Sequence, residues 1–90
     1  MTGCKKTSKS VYEDCKKAVN IANDYLDFKI TKSDAKKRFS RINCDAKDNN
    51  QKDILVCSKI GLLDVELSSI VNNDDEIEDT VKELKKNCGL

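Results

Sequence analysis

The 90-residue chain has no histidine, proline or tryptophan, and only three glycines, two tyrosines and two phenylalanines. These absences exclude whole classes of chemistry. Without histidine, the commonest general acid–base group and a principal zinc ligand are missing. Three scattered glycines cannot form a phosphate-cradling loop. No Cys-x-x-Cys pair is present, so neither a redox dithiol nor a zinc knuckle is expected. Two arginines and four aromatic rings give little for reading or stacking nucleic-acid bases, so nucleic acid is not the expected partner. No apolar run is long enough to cross a bilayer. The expectation is a protein that is not an enzyme and holds no metal or cofactor.

What remains is apolar residues (38%) and charged residues (37%) in nearly equal share, with five cysteines. So short a chain builds only a thin core, and staples become important. Lysine outnumbers arginine 15 to 2, a bias typical of AT-rich bacterial genomes. Net charge is +1 but unevenly spread: residues 1–47 carry 12 basic and 6 acidic side chains, residues 48–90 carry 5 and 10. Halves of opposite sign can attract each other within one fold.

Apolar periodicity predicts four helices. Val11, Cys15, Ala18, Ala22 and Tyr25 recur at helical spacing, with Tyr12, Val19 and Leu26 beside them, and define a helix from about Ser10 to Asp27. Thr31 can cap a second helix, with Asp34 in its first turn and Ile30 stapling onto Ala35; it continues through Phe39 and Ile42. After a polar break at residues 45–50, the series Val56, Ile60, Leu63, Leu67 and Ile70 predicts a third helix reaching Asn72. Gly61 weakens it without ending it. Asn73 or Asp74 can cap a fourth, with Ile77, Val81, Leu84 and Cys88 as its stripe and Gly89 as its stop. The expected fold is all-α: a four-helix bundle made of two antiparallel helical hairpins, residues 10–44 and 51–90, in a single domain behind a polar tether at residues 1–9.

The cysteines suggest how such a bundle is stapled. Residues equally far from a turn lie at the same height in an antiparallel pair. Cys15 and Cys44 are centred on the first turn, and Cys57 and Cys88 on the second. Turn symmetry therefore predicts the disulfides Cys15–Cys44 and Cys57–Cys88, one within each hairpin, with the halves joined only by packing and charge. Disulfides would place the chain in an oxidising compartment.

Cys4 is then left over. Its setting, Met1-Thr2-Gly3-Cys4 followed by polar residues, resembles the lipobox of bacterial lipoproteins, with Met1 where leucine is usual. The resemblance implies that Cys4 is the lipid attachment site, that residues 5–10 are a tether, and that a leader stood before them. It points to an extracytoplasmic chain, secreted or membrane-anchored at the cell surface.

Two further patterns stand out. Residues 23–34, NDYLDFKITKSD, resemble part of a calcium-binding EF-hand loop, but Phe28 replaces the turn glycine and Tyr25 replaces an oxygen donor, so a helix corner is expected. Lys32, Lys36, Lys37, Arg38 and Arg41 crowd the second helix and form a candidate anion-binding set for a membrane surface or an acidic polymer. They flank the face opposite Ala35 and Phe39, as solvated charges ordinarily do. The function expected is a small exported, lipid-anchored helical module that binds an unknown protein partner. The alternative is a cytosolic phage- or plasmid-type regulator or inhibitor that binds a protein or nucleic acid.

Overall fold

The computed structural model describes residues 7–46 and 50–90. Four helices follow in order: α1 (Lys9–Leu26), α2 (Lys32–Phe39), α3 (Gln51–Ser68) and α4 (Asp74–Cys88). No strand occurs among the described residues. Each helix runs antiparallel to the one before it. Lys32 near the start of α2 reaches the carbonyls after α3, and Lys36 reaches Asp64. Tyr25 near the end of α1 bonds Asp74 at the start of α4. α1 and α3 are parallel across the diagonal, since Ser8 ahead of α1 bonds Asp53 in the first turn of α3. The architecture is an up-down-up-down four-helix bundle with one short member.

The core keeps most of the stripes that periodicity predicts, with Tyr25 and Ile42 only partly buried against it. Val11, Cys15, Ala18, Val19 and Ala22 of α1 meet Ala35 and Phe39 of α2, Val56, Ile60, Leu63 and Leu67 of α3, and Ile77, Val81, Leu84 and Cys88 of α4. Thr31 caps α2 by accepting from the Asp34 amide at 3.1 Å, and Asn50 caps α3 by accepting from the Asp53 amide at 3.2 Å. Gly89 ends α4 in the left-handed region at φ 72°, which costs glycine little.

Two expectations are corrected here. α2 stops at Phe39 rather than continuing through Ile42. At Ser40 the hydroxyl donates to the Lys37 carbonyl at 2.6 Å, and the next amides bond three residues back, Arg41 to Arg38 and Ile42 to Phe39. Local bonding by serine thus competes with the helix ladder and unwinds it. α3 stops at Ser68, with Ser69 extended, so Ile70 is fully exposed instead of joining the core stripe.

The disulfides are corrected as well. All four bundle cysteines are paired, but as Cys15–Cys88 and Cys44–Cys57, with Cα separations of 6.8 and 5.5 Å. Turn symmetry sets the pairing only where α2 matches α1 in length. With 8 residues against 18, α2 rises about 12 Å where α1 rises about 27 Å. The chain is no longer helical when it reaches Cys44, which meets Cys57 near the start of α3. α4 is also an antiparallel neighbour of α1, so Cys88 is the residue that faces Cys15. Both bonds therefore tie one hairpin to the other.

Candidate interaction surfaces

One end of the bundle gathers the start of α1, the start of α3 and the end of α4. Asp53 is wholly buried there, accepting from the Ser8 amide at 2.8 Å and from the Ser8 hydroxyl at 2.7 Å. These charge-assisted bonds hold Ser8, just ahead of α1, against the start of α3. Cys15–Cys88 and Cys44–Cys57 lie toward the same end. An open groove of about 540 Å³ there is lined by Lys9, Lys52 and Lys86 from three helices, together with Thr7, Tyr12, Asn87, Cys88 and Gly89. Cys4, the candidate lipid site, lies outside the described residues.

The opposite end gathers the α1–α2 and α3–α4 turns. After α1 the Phe28 amide donates to the Tyr25 carbonyl at 3.0 Å and the Lys29 amide to the Asp24 carbonyl at 2.9 Å, the Schellman pattern. Phe28 thereby occupies the left-handed position that glycine ordinarily takes, at φ 62°. A bulky side chain there costs about 1 to 2 kcal/mol. No packing offsets the cost, because Phe28 is 90% exposed. Ile70 and Val71 are also exposed at this end, in the next turn.

Polar contacts hold these turns. The Lys32 ammonium donates to the Ser69 and Val71 carbonyls and to Asn73 Oδ1, at 2.9, 2.8 and 2.7 Å. It places a positive charge at the C-terminal end of α3, where the helix dipole favours it. Asn73 also donates to the Glu66 carbonyl at 3.0 Å. The Tyr25 hydroxyl donates to Asp74 at 2.6 Å. Burial, then the hydrogen bond to Asp74 and its negative charge, push the Tyr25 phenol up to about 12.

The basic residues of α2, and Arg41 just beyond its end, do not converge on one spot as the sequence pattern suggests. Lys32 serves the α3–α4 turn, Lys36 pairs with Asp64 at 2.9 Å, and Arg38 lies 3.7 Å from Asp24. Lys37 is exposed, and Arg41 borders a shallow groove with Arg38, Lys17 and Asp24. Among the described residues no group of three or more metal-ligating side chains comes together. No described helix is long and apolar enough to cross a membrane.

α3 supplies a third surface, on the side away from its core stripe. α3 buries Val56, Ile60, Leu63 and Leu67, yet Ile54, Leu55, Leu62 and Val65 are 42 to 66% exposed on its other side. With Ser58 and Gly61 between them, they form an outward stripe without a single charge, in a chain in which 37% of residues are charged. A helix with apolar residues all round is ordinarily buried on both sides. The signal was present in the sequence as an α3 segment whose apolar residues do not confine themselves to one face.

No family model, no curated protein and no solved structure matches the chain.

Proposed function

We propose that the chain is an exported helical binding module, anchored at one end through lipid on Cys4 and presenting the other end to a protein partner. The observation that carries this reading is Phe28, an exposed aromatic held at the turn position where glycine would be less strained. Strain without a packing benefit points to selection for contact. Two disulfides in so small a core favour an oxidising, extracytoplasmic setting over the cytosolic regulator.

The polarity of the bundle supports the same reading. Thr7, the first described residue, lies beside Lys9, Lys52 and Lys86, whose charge suits an anionic membrane surface. Phe28, Ile70 and Val71 stand at the far end, next to the acidic first turn of α4, Asp74, Asp75 and Glu76. The partner that fits is a protein with an apolar patch rimmed by lysine or arginine. Aromatic anchors dominate such contacts.

The test uses a photoreactive phenylalanine analogue at position 28 in the native cells. It is expected to cross-link one protein species, whereas the same analogue at Lys82 on α4 gives none. Equal labelling from both positions, or none from position 28, would contradict the binding role. Separately, Cys4→Ser is expected to move the chain from the membrane fraction to the medium; an unchanged distribution would contradict the anchor alone.

A further inference from the structure

We infer that the groove between α1 and the end of α2 binds an extended acidic peptide segment, one with carboxylates at alternate positions. The inference stands on Arg38 and Arg41 and rests neither on Cys4 nor on Phe28. The chain carries 15 lysines and only these two arginines. Both line one groove of about 370 Å³, within the roughly 300 to 1,000 Å³ of small-ligand sites. Lysine would keep a surface soluble equally well at either position. A guanidinium differs in presenting a planar fork of donors that fits a carboxylate.

The unwinding after α2 sets the two forks side by side. The Arg41 amide donates to the Arg38 carbonyl at 3.2 Å, three residues back, and side chains three apart in a 3₁₀ turn line up. Like charges so placed destabilise each other unless an anion joins them. Asp24 answers only part of this, through one contact of 3.7 Å with Arg38. Lys17 of α1 adds a third cation to the groove, and among the described residues neither it nor Arg41 has a hydrogen-bond or ion-pair partner. Three positive charges thus share one negative.

Spacing and lining select the ligand. Arg38 and Arg41 differ in height by roughly 5 to 6 Å. Side chains two apart in an extended strand share one face and stand about 6.6 Å apart, a mismatch that the long arginine stems absorb. Two acids at such positions can each accept a forked pair of hydrogen bonds. The residue between them points away from the arginines, toward α1 and the partly buried Ile21, so an apolar side chain belongs there. Asn20 on the same wall offers an amide to the backbone of the segment. No aromatic ring lines the groove, which leaves the bases of a nucleic acid nothing to stack on. The order that fits is acidic, apolar, acidic.

The probe is the peptide acetyl-Glu-Leu-Glu-amide, titrated in mildly acidic buffer into the full nitrogen-15-labelled chain with its disulfides intact. Because the chain has two arginines, their side-chain Nε–H groups give two magnetic-resonance signals and no others. Both are expected to shift along one saturating curve, with a dissociation constant of about 1 mM. Arg41→Lys, at an exposed position without a partner, should weaken binding at least about fivefold and leave melting unchanged, because the charge stays and the fork is lost. Acetyl-Leu-Glu-Glu-amide, whose acids face opposite ways, and acetyl-Gln-Leu-Gln-amide should each bind at least about fivefold more weakly. No shift up to about 10 mM, a shift of one arginine alone, equal binding of either control peptide, or full binding by Arg41→Lys would overturn the inference. Inorganic phosphate or a short thymidine oligonucleotide that moved both signals at lower concentration than the peptide would overturn it equally.

Discussion

The two ends of the bundle are built by different means. At the end where α1 begins, covalent bonds and a buried carboxylate hold the helices: Cys15–Cys88, Cys44–Cys57, and Asp53 beneath Ser8. At the other, no covalent bond joins the turns: the three bonds of the Lys32 ammonium, the Asn73–Glu66 bond and the Tyr25–Asp74 bond hold them over the partly buried Leu26 and Ile30, while Phe28, Ile70 and Val71 stand in solvent. In a core this thin, the stapled end can carry the stability while the other is free to carry residues chosen for contact. Phe28 is the clearest of these, since its conformation costs stability that its exposure does not return.

Breaking the stapled end should have the largest effects. Cys15→Ala with Cys88→Ala opens a loop whose ends are 73 residues apart and is expected to cost about 4 kcal/mol; Cys44→Ala with Cys57→Ala, 13 apart, should cost about 3 kcal/mol. Urea denaturation of the two variants gives the comparison, and a larger loss from the shorter loop would count against the chain-entropy account. Asp53→Ala should cost about 2 kcal/mol, because it leaves the Ser8 amide and hydroxyl without their acceptor. The same titration measures it.

Changes at the tip should be smaller and of both signs. Lys32→Met keeps most of the stem but removes three donated bonds, and should cost about 1 kcal/mol. Phe28→Gly should raise stability by up to about 1 kcal/mol, because glycine accepts the left-handed turn without a Cβ penalty. A loss of stability there would mean that Phe28 is held by packing and would remove the argument for its role in binding.

The Tyr25–Asp74 contact gives the mildest effect. The fold favours the neutral phenol, so its contribution is fully present below pH 10 and is lost as pH rises through about 12. The difference in urea midpoint between the wild-type chain and Tyr25→Phe should hold constant up to pH 10 and shrink beyond it. A difference that grew above pH 10 would reverse the assigned sign.

The pattern of legibility follows from which forces are local. Helix stripes, the Thr31 cap and the Gly89 stop depend on neighbours within a turn or two, and the sequence displays them. Cys15 and Cys88 lay on the expected stripes, but their pairing depended on the length of α2, which Ser40 curtails by one side-chain hydrogen bond. It also depended on α1 having two antiparallel neighbours rather than one. Asp53 reads as a first-turn acid and gives no sign that Ser8, 45 residues earlier, will bury it. Ile70 kept the helical period but fell beyond the end of α3. The outward stripe of α3 is visible in the composition of that segment, but apolar residues on two sides of a helix blur the single-stripe period that marks a buried face.

The disulfide pairing decides most directly whether the two ends differ as described. Trypsin digestion of chain never exposed to reductant, with free thiols blocked, gives four informative peptides: Ser10–Lys16, Ile42–Lys47, Asp53–Lys59 and Asn87–Leu90. Mass spectrometry should find the first joined to the last and the middle two joined to each other. Ser10–Lys16 joined to Ile42–Lys47, or all four peptides recovered with blocked thiols, would contradict the stapled end and the oxidising compartment that rests on it.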